Sequence, residues 1–186
     1  MNLNGQGYLA ATNDGTNLYF QPRYTDYILK ISPVGEIFWL KSDYFLDNTA
    51  DTTNTFMYWS GRGITWADTN LVVLYGHKED STLYRWRYIT VNDNFSTIKD
   101  TMVVWSHLNN NGVFALDYDP SKMEFLLLAT DSTNKNILFT VNSELEYDNS
   151  YYNIPDSALG IAIAGNSKIY LSLPNRRIEE FTRPKD

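Results

Sequence analysis

The sequence predicts an all-β protein that repeats one multi-stranded unit about four times. Aromatic residues make up 15% of the 186 residues, with 14 Tyr, 9 Phe and 5 Trp. Aromatic and β-branched side chains favour the half-buried face of a sheet. Asn, Asp, Ser and Thr separate the short apolar runs, as turns require. No long apolar stripe of helical period appears, so helix is a minor component at most.

Each repeated unit opens with a glycine-led strand and continues through a tight turn into further strands. The lead glycines recur about every 50 residues and are Gly7, Gly63, Gly112 and Gly160. Tight turns are predicted at residues 13–15, 68–70, 119–122 and 165–167. Second strands are predicted at residues 18–20, 71–75, 125–128 and 169–173, and third strands at 27–31, 83–87, 137–141 and 177–181. Outer strands are predicted at residues 36–40, 97–105 and 144–148.

A period near 50 residues with three or four strands per unit is typical of the blades of a β-propeller. Gly-Ile-Ala-Ile at residues 160–163, followed by Ile-Tyr-Leu at residues 169–171, resembles the opening of such blades. This generic resemblance to the β-propeller repeat superfamily covers nearly the whole chain. It implies antiparallel blades around an axis, with the glycine-led strand innermost. The Trp-Asp dipeptide of WD40 blades is missing, and the framing disulfide of hemopexin-like propellers cannot form in a chain without Cys.

The repeats predict a single domain over residues 1–186. Its blades lie approximately at residues 5–50, 56–105, 106–150 and 151–186. The fourth copy ends after its third strand. Three arrangements therefore stay open: a closed four-bladed ring, an incomplete ring closed by a second copy or by other proteins, and an open stack of sheets. We favour a propeller-like array of about four blades.

Charge and composition exclude several classes of function. The net charge is −7 and the pI about 4.8, which argues against a general binder of nucleic acid or anionic membranes. No apolar run reaches the roughly 18 residues of a membrane helix, and residues 1–5 show no signal-peptide pattern. The absence of Cys excludes disulfides and thiolate metal sites. It suits a reducing cytoplasm, a virion protein and a bacterial surface protein equally well.

No motif in the chain predicts catalysis, a metal site or a cofactor. His77 and His107 lack zinc-site spacing and are expected to be ordinary loop residues. Ser60 lacks the glycine two residues before it that a nucleophile elbow requires. Gly61 and Gly63 are expected to let the chain turn into the next inner strand. We predict no catalytic residues, no metal ligands and no cofactor.

Paired carboxylates are the one pattern that acid–base or glycosidase chemistry could use. The pairs are Asp117 with Asp119, flanking a turn, and Glu144 with Glu146, alternating on one face of a predicted strand. A further group, Asp43, Asp47 and Asp51, lies in one long connection. Ordinary turn and surface roles are favoured for these residues.

The best functional indication is the rim where long loops are expected to gather. Loops between second and third strands and links between blades fall on one rim of a propeller, whereas the opposite rim has only tight turns. The longest link, residues 41–62, mixes aromatic side chains with Asp, Asn and Thr. Such surfaces bind sugars or peptides, although the same aromatic residues also serve as core. The candidate ligand-binding residues are Tyr24, Tyr58, Trp59, Arg62, His107, Tyr151, Tyr152 and Arg176.

Three functions follow from this sequence. The first is a non-catalytic binding or assembly module, such as a glycan- or receptor-binding domain of a virion or surface protein. The second is a propeller-fold glycan-active enzyme that uses carboxylates of the loops or funnel. The third is a structural subunit that pairs through open blade edges. The expected partners are a glycan, a protein receptor or further copies in an assembly, and neither nucleic acid nor membrane insertion is expected.

Overall fold

The computed structural model describes residues 8–22, 27–41, 59–77, 82–90, 96–106, 108–164 and 168–182. Within these ranges all regular structure is β-strand, organised as four antiparallel sheets. Strands that follow one another in the chain are neighbours in each sheet. In this part of the chain there is no helix that could cross a membrane. The all-β prediction is confirmed.

The four sheets correspond to four successive stretches of the chain. Sheet 1 contains β1 (Tyr8–Asn13), β2 (Leu18–Pro22), β3 (Tyr27–Ile31) and β4 (Ile37–Lys41). Sheet 2 contains β5 (Trp59–Ala67), β6 (Asn70–His77), β7 (Leu83–Thr90) and β8 (Ser96–Val104). Sheet 3 contains β9 (Leu108–Asp119), β10 (Glu124–Asp131), β11 (Asn136–Asn142) and β12 (Tyr147–Asn153). Sheet 4 contains β13 (Gly160–Ile163), β14 (Ile169–Leu173) and β15 (Arg177–Phe181).

Asp and Asn side chains shape the tight turns between strands. The Asp14 carboxylate accepts the backbone N–H groups of Thr16 (2.8 Å) and Asn17 (2.6 Å). Asp119 and Asp131 accept backbone N–H groups in the same way after β9 and β10. These side chains satisfy backbone donors that the strand ladders leave unpaired. The predicted role of Asp14 and Asp119 in turns is therefore confirmed.

In sheets 2 and 3, the second strand is the most buried strand. Six consecutive residues are buried in β6 and six in β10. These strands pair with a neighbour on each edge and are covered on both faces, so their sequences read as continuous apolar runs. The predicted second strands at residues 71–75 and 125–128 lie within them.

The four sheets pack face to face around a common axis. Their inner strands lie side by side in the order β1, β5, β9 and β13. Tyr19 and Leu71 share a core between sheets 1 and 2, and Trp86 and Phe125 share one between sheets 2 and 3. A third core, which includes Leu126 and Ile169, joins sheets 3 and 4. Among the described residues, β13 and β1 do not pack on each other as the other inner neighbours do, so the four blades form an open arc.

The lead glycines do not mark the starts of the inner strands in blades 2 and 3. β5 starts at Trp59 and β9 at Leu108, so Gly63 and Gly112 lie inside strands. The register of β5 shifts between Gly61 and Gly63, which is the signature of a β-bulge. The prediction that Gly61 and Gly63 turn the chain into the strand is therefore wrong.

Two of the three predicted outer strands are found nearly in place, as β4 and β8. The third was predicted too early, because the chain first makes a turn in which the Asn142 side chain accepts the N–H groups of Glu144 and Glu146. The strand follows as β12, and the prediction that Glu144 and Glu146 share a strand face is wrong.

Candidate functional site

A cavity of about 470 Å³ lies where the ends of the four inner strands converge. Asn13 of β1, Trp66 of β5, Asp117 of β9 and Ile163 of β13 line it. Asp68 and Pro120, from the turns after β5 and β9, also contribute to the wall. A volume in the range of about 300–1,000 Å³ is typical of small-molecule sites. We call it the axial cavity.

A chain of hydrogen bonds joins the inner strands beside the axial cavity. One residue of each inner strand lies at an equivalent position, which is defined by the second-strand residue that it pairs with. These residues are Thr12 (paired with Tyr19), Thr65 (Val72), Asp117 (Leu126) and Ala162 (Tyr170). Thr12 Oγ1 accepts the N–H of Trp66 (3.0 Å), and Thr65 Oγ1 donates to Asp117 Oδ1 (2.7 Å). Asp117 Oδ2 accepts the N–H of Ile163 (2.6 Å). This inter-blade belt fixes each inner strand to the next and stops at Ala162, whose side chain cannot hydrogen-bond.

Asp117 is the central residue of the inter-blade belt. Its Oδ1 also accepts the N–H of Tyr118 (2.9 Å), so three donors engage its two oxygens. Burial raises the pKa of Asp117, and the hydrogen bonds from Thr65, Ile163 and Tyr118 only partly offset that rise. The arrangement suits a carboxyl group that positions strands.

Trp66 and Tyr118 are held in the wall by Asp68. The indole Nε1–H of Trp66 donates to the Asp68 carbonyl oxygen (3.0 Å), and the Tyr118 hydroxyl donates to Asp68 Oδ2 (3.2 Å). Trp66 also stacks on Tyr19, with ring centroids 5.7 Å apart. Burial and the charge of Asp68 raise the pKa of Tyr118 to about 12, so this phenol stays neutral at physiological pH. The aromatic wall is therefore fixed before any ligand arrives.

The axial cavity is acidic. Asp68 and Asp117 line it, and no Lys, Arg or His is among the described residues of its wall. In the described part of the chain, no group of three or more His, Asp or Glu residues could hold a metal ion. The lining therefore suits uncharged hydroxylated ligands or cations and repels phosphates.

None of the predicted binding residues is among the described residues that line this cavity. Tyr24, Tyr58 and His107 lie outside the described residues. Trp59, Tyr151 and Tyr152 were predicted in loops, but their backbones lie in β5 and β12. The location predicted for these three is wrong, because backbone pairing with β6 and β11 extends the strands into polar sequence.

The two predicted arginines are described but do not line the axial cavity. Arg62 is half-buried in β5 beside Gly76, where an added Cβ would lie only 2.6 Å from Arg62 Nε. Arg176 is exposed in the turn between β14 and β15. The cavity lies at the opposite rim, beside the tight turns that follow the inner strands. The missed residues are Thr12 and Trp66, and the recurrence of Thr or Asp near the end of an inner strand was the signal for Thr12. Asp117 was predicted as one of a carboxylate pair flanking a turn, and that placement is wrong, because Asp117 and Asp119 both lie in β9, before the turn.

Neither a protein-family model nor a curated protein sequence matches the chain. Several solved structures do match the chain. Virginiamycin B lyase from Staphylococcus aureus is 15% identical with a TM-score of 0.56, covering 97% of this chain and 53% of that one. Glutaminyl cyclase from Myxococcus xanthus is 14% identical with a TM-score of 0.56, covering 96% and 73%. The Cps50 (Swd1) β-propeller domain from Myceliophteria thermophila is 10% identical with a TM-score of 0.53, covering 95% and 52%.

At these identities the likeness shows the fold alone. The chain has the β-propeller fold, as its repeats predicted. It spans about half the length of the virginiamycin B lyase and Swd1 chains. The similar structures include enzymes as well as a propeller domain, so the fold by itself selects no activity.

Proposed function

We propose that the chain is a non-catalytic binding module whose ligand occupies the axial cavity. The observation that carries this proposal is a single cavity of about 470 Å³ walled by all four inner strands. Its aromatic groups are held by hydrogen bonds and stacking within the protein. A site whose groups are already ordered binds with less loss of side-chain entropy.

The ligand we propose is an uncharged, hydroxylated molecule such as a sugar unit of a glycan. The Trp66 ring offers an apolar face for sugar C–H groups, and the side chains of Asn13 and Asp68 offer oxygens for hydroxyl groups. The acidic lining disfavours phosphorylated ligands. The glycan partner predicted from the sequence is retained, but the proposed site moves to the rim of tight turns.

A glycan-active enzyme is the second candidate, and Asp117 is the observation that favours it. A buried carboxyl group with a raised pKa is what a general acid requires. Both oxygens of Asp117 are already engaged by Thr65, Tyr118 and Ile163, however. Binding is therefore the function we favour.

Calorimetric titration with a panel of mono- and oligosaccharides, chosen after a glycan-array screen, tests the proposal. We expect Asn13→Ala and Asp68→Asn each to weaken binding by about tenfold, since each loses one polar contact to the ligand. The matched control is Arg176→Ala, at the exposed turn between β14 and β15, which should leave the affinity unchanged.

Two results would overturn the proposal. One is that no saccharide binds, and the other is that Arg176→Ala weakens binding while the cavity variants do not. If the wild-type chain releases reducing sugar from a glycan and the Asp117→Asn variant does not, the chain is instead a glycan-active enzyme.

A further inference from the structure

Each contact between neighbouring blades places an apolar side chain against a small residue. An added Cβ at Gly63 would lie 2.6 Å from the Cβ of Leu116 in the next blade. Gly63 therefore forms a socket, and Leu116 is the side chain that fills it. Each inner strand has a small residue at the position equivalent to Gly63, as its pairing with the second strand shows. These residues are Ala10 (paired with Gln21), Gly63 (Leu74), Ala115 (Leu128) and Gly160 (Ser172).

The first three sockets are covered by the next blade. Ala10 shares a core with Ile64 of sheet 2, and Ala115 shares one with Ile161 of sheet 4. Leu116 covers Gly63, as shown by the distance above. The covering residues also lie at one equivalent position of their inner strands. They are Ile64 (paired with Val73), Leu116 (Leu127) and Ile161 (Leu171).

The fourth socket, at Gly160, opens into a groove on the outward face of sheet 4. The groove measures about 190 Å³ and is lined by Gly160, Ile161, Ala162, Tyr170, Ser172 and Ile178. Ile178 is 73% exposed. Among the described residues, no further sheet packs on this face. Sheet 4 therefore presents the same small-residue position that sheets 1 to 3 present to their next blade, but with Ala162 where those sheets carry the Thr or Asp of the inter-blade belt.

The other end of the arc presents the complementary kind of surface. On the outward face of sheet 1, strand pairing aligns the apolar row Leu18–Ile31–Ile37. Leu18 is 47% exposed and Ile37 is 58% exposed. Within the described residues, sheet 2 is the only sheet that packs on sheet 1, and it does so on the opposite face.

We propose that two copies of this chain close one eight-bladed ring, with sheet 4 of each copy packed on sheet 1 of the other. A two-fold axis satisfies both contacts at once, because each copy supplies one socket face and one apolar face. The chain aligns along nearly its whole length with only part of each similar propeller, about half in two of them and 73% of glutaminyl cyclase, so four blades of this kind fall short of a full ring. Two copies then leave no blade face open. Ala162 lines both the groove and the axial cavity, so closing the ring also alters one wall of that cavity.

Light scattering after size-exclusion chromatography tests the proposal on the purified chain. We expect a mass of twice 21.5 kDa. Ile178→Glu on sheet 4 and Ile37→Lys on sheet 1 change exposed side chains, so each blade should still fold while the dimer dissociation constant rises about tenfold or more. The matched control is Met102→Glu, which changes a residue that is 52% exposed on β8 of sheet 2 and should leave the dimer intact.

Cross-linking identifies which faces meet. The chain contains no Cys, so single cysteines can be introduced cleanly. A flexible bismaleimide should join Ile37→Cys chains to Ile178→Cys chains in a mixture, whereas Val104→Cys with Ile178→Cys should give little product. A monomer at all concentrations, a mass above two copies, equal disruption by Met102→Glu, or cross-links only between identical variants would each overturn the proposal.

Discussion

Asp117 joins three inner strands through one side chain. It lies on β9, accepts a hydrogen bond from Thr65 of β5, and accepts another from the backbone of Ile163 in β13. A carboxylate offers acceptors only, which matches three donors pointing at it. Its burial is tolerated because every donor around it is satisfied.

Asp117→Asn tests this role. An amide presents two N–H donors where Thr65, Tyr118 and Ile163 already donate, so at least one donor loses its partner. We expect the free energy of unfolding to fall by about 1–3 kcal/mol. Chemical denaturation measures this, with Glu144→Gln as the control that removes the same charge at an exposed turn. Equal stability of the two variants would show that the belt contributes nothing.

Arg87 is a fully buried cation on the outer part of sheet 2. Its guanidinium lies 3.1 Å from Asp100 Oδ2 and faces the ring of Tyr75 at 5.9 Å. Arg85 binds the same carboxylate through two nitrogens, at 2.9 and 2.6 Å. Burial by itself would raise the pKa of Asp100, but the hydrogen bond from Arg85 and the charges of Arg87 and Arg85 outweigh it, so the pKa is lowered.

This lowered pKa predicts a pH dependence of stability. The stabilisation is fully present above the unfolded pKa of about 3.9 and is lost as the pH falls through the lower folded value. We expect Asp100→Asn to be less stable than the wild type at pH 7, with a difference that begins to narrow below about pH 4 and closes only below the lowered pKa of folded Asp100. Urea denaturation from pH 7 to pH 3 measures the difference. A gap that stays constant over this range would contradict the assignment.

At the scale of elements, the inner strands carry residues that leave space for the neighbouring blade. Gly63 lies just after a bulge in β5, and its missing side chain leaves space for Leu116 of β9. The bulge and the glycine act together, because one bends the strand and the other admits the neighbour. The same register position carries Ala or Gly in every sheet.

Gly63→Ala tests the socket. The added methyl group would meet both the Cβ and the backbone of Leu116, and we expect a loss of about 1–3 kcal/mol in the free energy of unfolding. Leu116→Ala alone should cost about 2–5 kcal/mol because it empties a packed site. The coupled pair is Gly63→Ala with Leu116→Gly, because only glycine at position 116 removes the Cβ that the added methyl group would meet; this double variant should lose less than the sum of its two single changes. Strict additivity in denaturation experiments would contradict the contact.

β12 shows why element boundaries were harder to predict than element types. Its sequence, Tyr-Asp-Asn-Ser-Tyr-Tyr-Asn, is polar and reads as a loop. In the structure Tyr152 pairs with Leu138 and Asp148 with Thr140 of β11. An outer strand needs only one paired edge and little burial, so local preference is overridden by the neighbouring strand.

At the scale of the whole molecule, each blade covers the apolar face of the one before it. The pattern is that of a repeat array, in which stability comes from each unit and its nearest neighbours. An array of this kind has two unlike ends, and here they are the outward faces of sheets 1 and 4. The proposed two-copy ring follows from repeating the internal blade contact once more between molecules.

The sequence by itself determined the all-β class, the four repeats, the buried second strands and the Asp and Asn turns. Each of these depends on local composition or on short-range periodicity, which a single sequence displays. Only the tertiary structure decided the axial cavity, the inter-blade belt and the open arc. The bond between Thr65 and Asp117 joins residues 52 apart in the chain, and nothing near either residue indicates the other. Which rim holds the cavity, and which residues line it, depended on such contacts between blades.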